Sequence, residues 1–144
     1  MICALSLPAF AGGKSGWDDD YAKSLVKAKA EGKPVLLDFT GSDWCGWCIK
    51  LDDEVFSKSE FKSFAKKSLI LVELDYPHGK RLQKKVQEQN AALKDKFSVR
   101  GFPTLILVDG DGKELKRWGG YSKDFFEQLK SAMPAPVSAA AEKK

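Results

Sequence analysis

The chain has 144 residues, of which 43% are hydrophobic and 31% charged, enough for one domain around a single buried core. Its 24 basic and 20 acidic residues leave a net charge of +4 with the two signs interspersed; a nucleic-acid footprint needs clustered basic residues, so no nucleic-acid partner is expected. No apolar run approaches the roughly 18 residues that a membrane span requires.

Residues 1–11 differ from the rest. Ile2-Cys3-Ala4-Leu5-Ser6-Leu7 is apolar, Pro8 interrupts it, and Ala9-Phe10-Ala11 has the small-x-small form of a signal-peptidase site, while the first basic residue is Lys14. The pattern reads as the back half of a secretory signal, with a frayed N-terminus as the alternative. An exported, periplasmic or otherwise extracytoplasmic domain beginning near residue 12 is the expectation. Cys3 would leave with the signal, and Cys45 and Cys48 would then sit where disulfides persist.

Trp17, Tyr21, Leu25 and Ala28 recur at helical spacing, with Gly32 placed to end the helix. Pro34-Val35-Leu36-Leu37-Asp38-Phe39 is a nearly continuous apolar run, the mark of a strand covered on both faces. Gly41-Ser42-Asp43 and the cysteine pair follow, then helical spacing over 49–55. Ser57 and Glu60 form a capping-box pattern, with Phe56 and Phe61 placed as its hydrophobic staple. Residues 69–74 read as a second buried strand, and Leu82, Val86, Leu93 and Phe97 mark one face of a long polar helix. A strand over 104–108, the turn Asp109-Gly110-Asp111-Gly112 and a strand over 114–118 make a hairpin. Ser122 can cap a last helix holding Phe125, Phe126 and Leu129, which Pro134 stops. This order predicts an α/β domain over residues 12–133, with a mixed sheet, helices on both faces and a disordered tail over 134–144.

Cys45 and Cys48 stand between a buried strand and a helix start. Unpaired N–H groups and the positive dipole end there favour a thiolate, most strongly at Cys45, which is read as the nucleophile with Cys48 as resolving thiol. Three other uses of the pair fit less well. As a structural staple so short a loop contributes only about 2 kcal/mol. A closed zinc site wants four ligands, and apart from Cys3 the chain offers these two cysteines and the lone His78. Haem attachment would need histidine at position 49, which is Ile. Redox chemistry is the favoured reading, with no metal and no cofactor beyond the Cys45–Cys48 couple. His78 is read as a loop or helix-entry residue, the Asp109–Gly112 turn as a hairpin rather than a calcium loop, and the lysines of 62–67 and 80–85 as solvated helix faces.

Val35-Leu36-Leu37-Asp38-Phe39, the Trp44-Cys45-Gly46-Trp47-Cys48 core and Val99-Arg100-Gly101-Phe102-Pro103-Thr104 together resemble the thioredoxin superfamily over roughly residues 17–133. Phe39-Thr40-Gly41-Ser42-Asp43-Trp44-Cys45 and the stretch 51–56 look like the thioredoxin-like proteins that many bacteria export. The resemblance implies a thioredoxin fold with a central mixed sheet of about four strands. It also implies a protein-disulfide oxidoreductase acting on protein thiols and disulfides with an upstream redox partner, here expected as a monomer. Pro103 would be a cis-proline facing the cysteines, with Phe102 offering backbone groups to substrate. Asp38 would be the buried acid that exchanges a proton with Cys48, its carboxyl raised by desolvation, with a strand-end aspartate that simply hydrogen-bonds backbone as the alternative. Trp44, Gly46 and Trp47 would complete the substrate surface, with packing against the helix as the simpler use of either tryptophan and the favoured one for Trp44. Three departures stand out. The loop between Asp38 and Cys45 is one residue longer than in thioredoxin, Glu73 replaces the lysine that partners the buried acid, and Trp47 brings no charge to favour a strong oxidant. The rival reading is a thioredoxin-fold binding module, or a metal-handling protein, that uses the Trp/Cys surface without turnover.

Overall fold

The computed structural model describes residues 14–134. In chain order they form α1 (Tyr21–Glu31), β1 (Val35–Thr40), α2 (Gly46–Leu51), a π-helical turn (Asp52–Phe56), α3 (Ser59–Ser68), β2 (Ile70–Asp75), α4 (Lys84–Lys96), β3 (Thr104–Val108), β4 (Glu114–Gly119) and α5 (Phe125–Ala132). The sheet has four strands in the order β2-β1-β3-β4. β1 runs parallel to β2 and antiparallel to β3, and β3–β4 is the antiparallel hairpin. The expected leader over 1–11 lies outside the described residues, as does the expected tail beyond Pro134.

Strand alternation divides the core in two. Val35, Leu37 and Phe39 of β1, with Val72 and Leu74 of β2, pack under α1 and α4 through Tyr21, Ala28, Leu93 and Phe97. Leu36, Leu71, Leu105 and Leu107 point the other way, against Leu51, Val55, Phe56, Phe61, Phe125 and Leu129 of α2, the π-turn, α3 and α5. Asp38 and Glu73, each two residues on from Leu36 and Leu71, belong to this second face. They are cross-strand neighbours in register. Among the described residues no helix is long and apolar enough to cross a membrane.

Three local expectations are corrected. Trp17 is not part of the first helix: α1 starts at Tyr21, N-capped by Asp20, whose carboxylate accepts from Lys23 N–H, and ends at Gly32 with φ +67°. Trp17 instead packs on the opposite face of the sheet, its ring 4.9 Å from that of Phe56 and stacked on Phe61. The capping box does not form, because Ser57 closes the π-turn and its hydroxyl donates to Asp53 O at 2.7 Å. α3 therefore begins one residue later, at Ser59 with Lys58 as its N-cap, although Phe56 and Phe61 make the expected contact at 4.9 Å. Ser122 lies outside α5; its hydroxyl accepts from Asp124 N–H and its carbonyl from Phe125 N–H, forming a turn before the helix.

The ring of Phe56, 3% exposed, lies at the junction of Trp17, Phe61 and Phe125. Phe56→Ala removes the common partner of three aromatic rings and is expected to cost about 3–5 kcal/mol in urea unfolding.

Candidate functional site

β1 ends at Thr40, and Gly41 O then accepts from Cys45 N–H at 2.9 Å, turning the chain sharply into α2. Cys45 is the N-cap of that helix. Its Sγ accepts from Cys48 N–H at 3.3 Å, so the sulfur occupies the place where a capping oxygen would satisfy an unpaired helix donor. Cys45 and Cys48 are joined in a disulfide, 7% and 2% exposed respectively. A Cβ added at Gly46 would meet nothing within 4 Å, so the surface beside Cys45 is open there.

The lengthened approach loop is fastened at both sides to the end of β2. Asp75 accepts from the Ser42 N–H at 2.9 Å and from the Ser42 hydroxyl. Asp43 accepts from the N–H groups of His78 and Gly79, which hold its carboxyl below the usual aspartate range. Trp44 donates its Nε1–H to Tyr76 O at 2.8 Å, stacks on His78 with ring centroids 4.4 Å apart, and meets Phe102 edge-on at 5.7 Å. His78 is thus a loop residue that supports Trp44. The Phe102–Pro103 peptide is cis. Thr104 is in register with Phe39, which sets Pro103 beside the end of β1 where the cysteine loop begins. Trp47 is 58% exposed, stacked on Tyr121 at 5.4 Å, with Lys50 Nζ 5.3 Å from its ring centroid. The uncharged Trp47 therefore carries a neighbouring cation.

Asp38 is 1% exposed. Its Oδ2 accepts from Lys14 Nζ at 2.7 Å, while Oδ1 is buried with no hydrogen-bond partner. The same ammonium lies 2.8 Å from Asp52 Oδ1 and 3.4 Å from Glu73 Oε2. Asp52 stands one turn after Cys48, its N–H donating to Cys48 O, so this member of the cluster lies one turn along the helix from the second cysteine. Burial pushes the Asp38 and Glu73 carboxyls up, and Lys14 only partly opposes it. Burial alone would lower the Lys14 ammonium, but the three carboxylates together raise it above the usual lysine range. Lys14 and Asp52 are the site residues that sequence reasoning missed. The one available signal was Glu73 itself, an acid facing Asp38 across the strands and requiring a cation from elsewhere.

Among the described residues no cluster of three or more His, Cys, Asp or Glu is placed to hold a metal ion. The Asp109 carboxylate accepts from Asp111 and Lys113 N–H in the β3–β4 turn, as a hairpin requires.

Residues 21–133 match the model of a family described as a thioredoxin-like domain. The chain is 41% identical over 118 residues to the disulfide bond reductase DsbH of Chlamydia pneumoniae, covering 80% of this chain and 71% of that protein. It is 31% identical over 130 residues to the thioredoxin-related protein DsbJ of the same organism, of whose length it spans 37%. A solved structure of a DsbH oxidoreductase superimposes with a TM-score of 0.74 at 38% identity, covering 92% of each chain.

The raised Asp38 carboxyl has a consequence for stability. Between the unfolded carboxyl value of about 3.9 and its higher folded value, the native state holds more protons than the unfolded chain. Stability from this group is therefore greatest at acid pH and declines as pH rises through that window. Asp38→Asn is expected to flatten the decline, gaining on the wild type with increasing pH in urea unfolding measured from pH 4 to 8.

Proposed function

The chain belongs to the thioredoxin-like family and is a thiol–disulfide oxidoreductase, and on that premise we propose that it runs in the reducing or isomerising direction on exported proteins. The observation that carries this direction is the carboxyl cluster that Asp52, one helical turn from Cys48, forms with Asp38 and Glu73 around Lys14. Three acids set against one ammonium disfavour a nearby thiolate, which withholds the stabilisation of the reduced form that makes a strong oxidant. The name of the 41% identical relative, a disulfide bond reductase, agrees with this reading.

In the proposed cycle the Cys45 thiolate attacks one sulfur of a substrate disulfide. That bond breaks, a Cys45–substrate disulfide forms, and the leaving sulfur takes up a proton. Cys48 then gives its proton to Asp38 and attacks Cys45 Sγ. The Cys45–Cys48 disulfide forms and the second substrate sulfur leaves as a thiolate, to be protonated. The substrate gains two electrons and two protons; the couple supplies both electrons and, through Asp38, the Cys48 proton, water supplies the other proton, and an upstream thiol donor recharges the couple. The couple itself carries the electrons, without cofactor or metal. Trp44, Gly46, Trp47, Phe102 and Pro103 form the surface against which an extended substrate segment lies. Export to the periplasm, with residues 1–11 as leader, and action as a monomer complete the proposal.

Insulin-disulfide reduction is the direct test. Wild type is expected to accelerate it, Cys45→Ser to return it to the uncatalysed rate, and Cys48→Ser to accumulate a mixed disulfide with substrate. An inactive wild type, or an active Cys45→Ser, would instead favour a binding or metal-handling role for the Trp/Cys surface. Equilibration with glutathione should place the potential nearer the about −270 mV of thioredoxin than the about −120 mV of a strong oxidant. A value at the oxidising end overturns the direction.

A further inference from the structure

The only ammonium in contact with Asp38, Asp52 or Glu73 among the described residues comes from outside the sheet. Lys14 is carried on a strap, residues 14–18, that lies along the outer side of β2. Asp18 N–H donates to Leu71 O and Asp18 O accepts from Glu73 N–H, both at 2.8 Å, while Lys14 O accepts from Trp17 N–H at 3.1 Å. The strap is held down by the Trp17 ring against Phe56 and Phe61. Lys14 Nζ crosses those rings, 4.1 Å from the Trp17 centroid and 4.7 Å from that of Phe56, on its way to the carboxylates. Its position is therefore fixed from three directions: by the strap backbone, by two aromatic faces and by three acids.

One positive charge serves three negative ones there, with Asp75 of β2 adding a further negative field at Asp38. Asp38 uses one oxygen for Lys14 and keeps the other, buried and unpartnered, as the place where a proton can bind. We infer that Lys14 is the positioning residue of the redox site: from the strap it sets its ammonium on Asp38 Oδ2, favouring the carboxylate and leaving Oδ1 to take the proton of Cys48 when Cys48 closes the disulfide. Without the ammonium, Asp38 and Glu73 face one another in the interior uncompensated. The pair then holds its proton to higher pH, and the Cys48 proton has no acceptor there. Because the cation sits on the strap and not on the sheet, loss of the strap removes it without touching the cysteines.

The inference rests on the redox reading of Cys45–Cys48, and its test is chosen to be separable from that reading. The carboxyl carbons of Asp38 and Glu73 are titrated by NMR in the full chain, as wild type, Lys14→Met and Lys14→Arg. An opposite charge at this distance typically moves a carboxyl by about 1–3 pH units. The Asp38 midpoint should therefore rise by about one unit or more in Lys14→Met and return towards wild type in Lys14→Arg. The pH at which disulfide closure reaches half its maximal rate in single turnover should rise with it. An unchanged Asp38 midpoint in folded Lys14→Met overturns the inference, as does a shifted midpoint with an unmoved rate profile. Should Lys14→Met not fold, Asp38→Asn and Asp38→Asn/Lys14→Met are compared. A higher Glu73 midpoint in the double variant supports the inference, and equal midpoints overturn it. Failure of insulin reduction by wild type would sink the redox reading while leaving these carboxyl midpoints as measured.

Discussion

The site depends on β1 remaining the central, doubly paired strand of the sheet. Its six residues are all buried, hydrogen-bonded to β2 on one side and β3 on the other. Val35, Leu37 and Phe39 commit one face to α1 and α4. The alternation then leaves Leu36 and Asp38 no choice but the face shared with α2 and the π-turn. A strand so placed ends at a fixed point in space, and the cysteine loop starts there. A shift of register by one residue would send Asp38 under α1 and Phe39 towards the cysteines.

Placing a carboxyl in such a strand is unfavourable for folding, and the surroundings moderate the cost rather than remove it. Lys14 reaches Asp38, but it is shared with Asp52 and Glu73, and one Asp38 oxygen is left without a donor. A packed leucine would serve stability better at this position. The π-turn contributes as well: Asp52 stands where α2 passes into the wider turn, and π-turns of this length are frequent at functional sites. The helix that presents the cysteines and the turn that supplies the third acid are one continuous piece of backbone, so Asp52 and the sulfurs share one support.

Much of this was legible in the sequence. The two apolar runs became β1 and β2 within a residue of their expected bounds, because a strand buried on both faces tolerates almost nothing but apolar side chains. The cysteine pair was placed correctly at the strand-to-helix junction, and the hairpin and Gly32 cap followed from turn chemistry. The cis bond before Pro103 came from family resemblance, since nothing local in Gly101-Phe102-Pro103 demands it. Errors arose where local pattern met long-range packing. Trp17 shares helical spacing with Tyr21 by coincidence and is held instead by Phe56, nearly forty positions away. Ser57 satisfied the capping pattern, but its hydroxyl was already engaged by the π-turn. Lys14 was legible only as the first basic residue, because no periodicity links it to Asp38, Asp52 or Glu73.

The strap has one more effect, on how copies of the chain meet. β2 is the outermost strand on its side, and an uncovered outer strand offers a row of N–H and C=O groups to any other chain in an extended conformation. Asp18 takes up two of those groups in the middle of β2, at Leu71 and Glu73, and stops there. The opposite border is guarded differently: β4 carries the exposed charges Glu114, Lys116 and Arg117, which resist edge-to-edge stacking. One border of the sheet is closed by backbone and the other by charge, so neither is a ready template for aggregation in a crowded compartment.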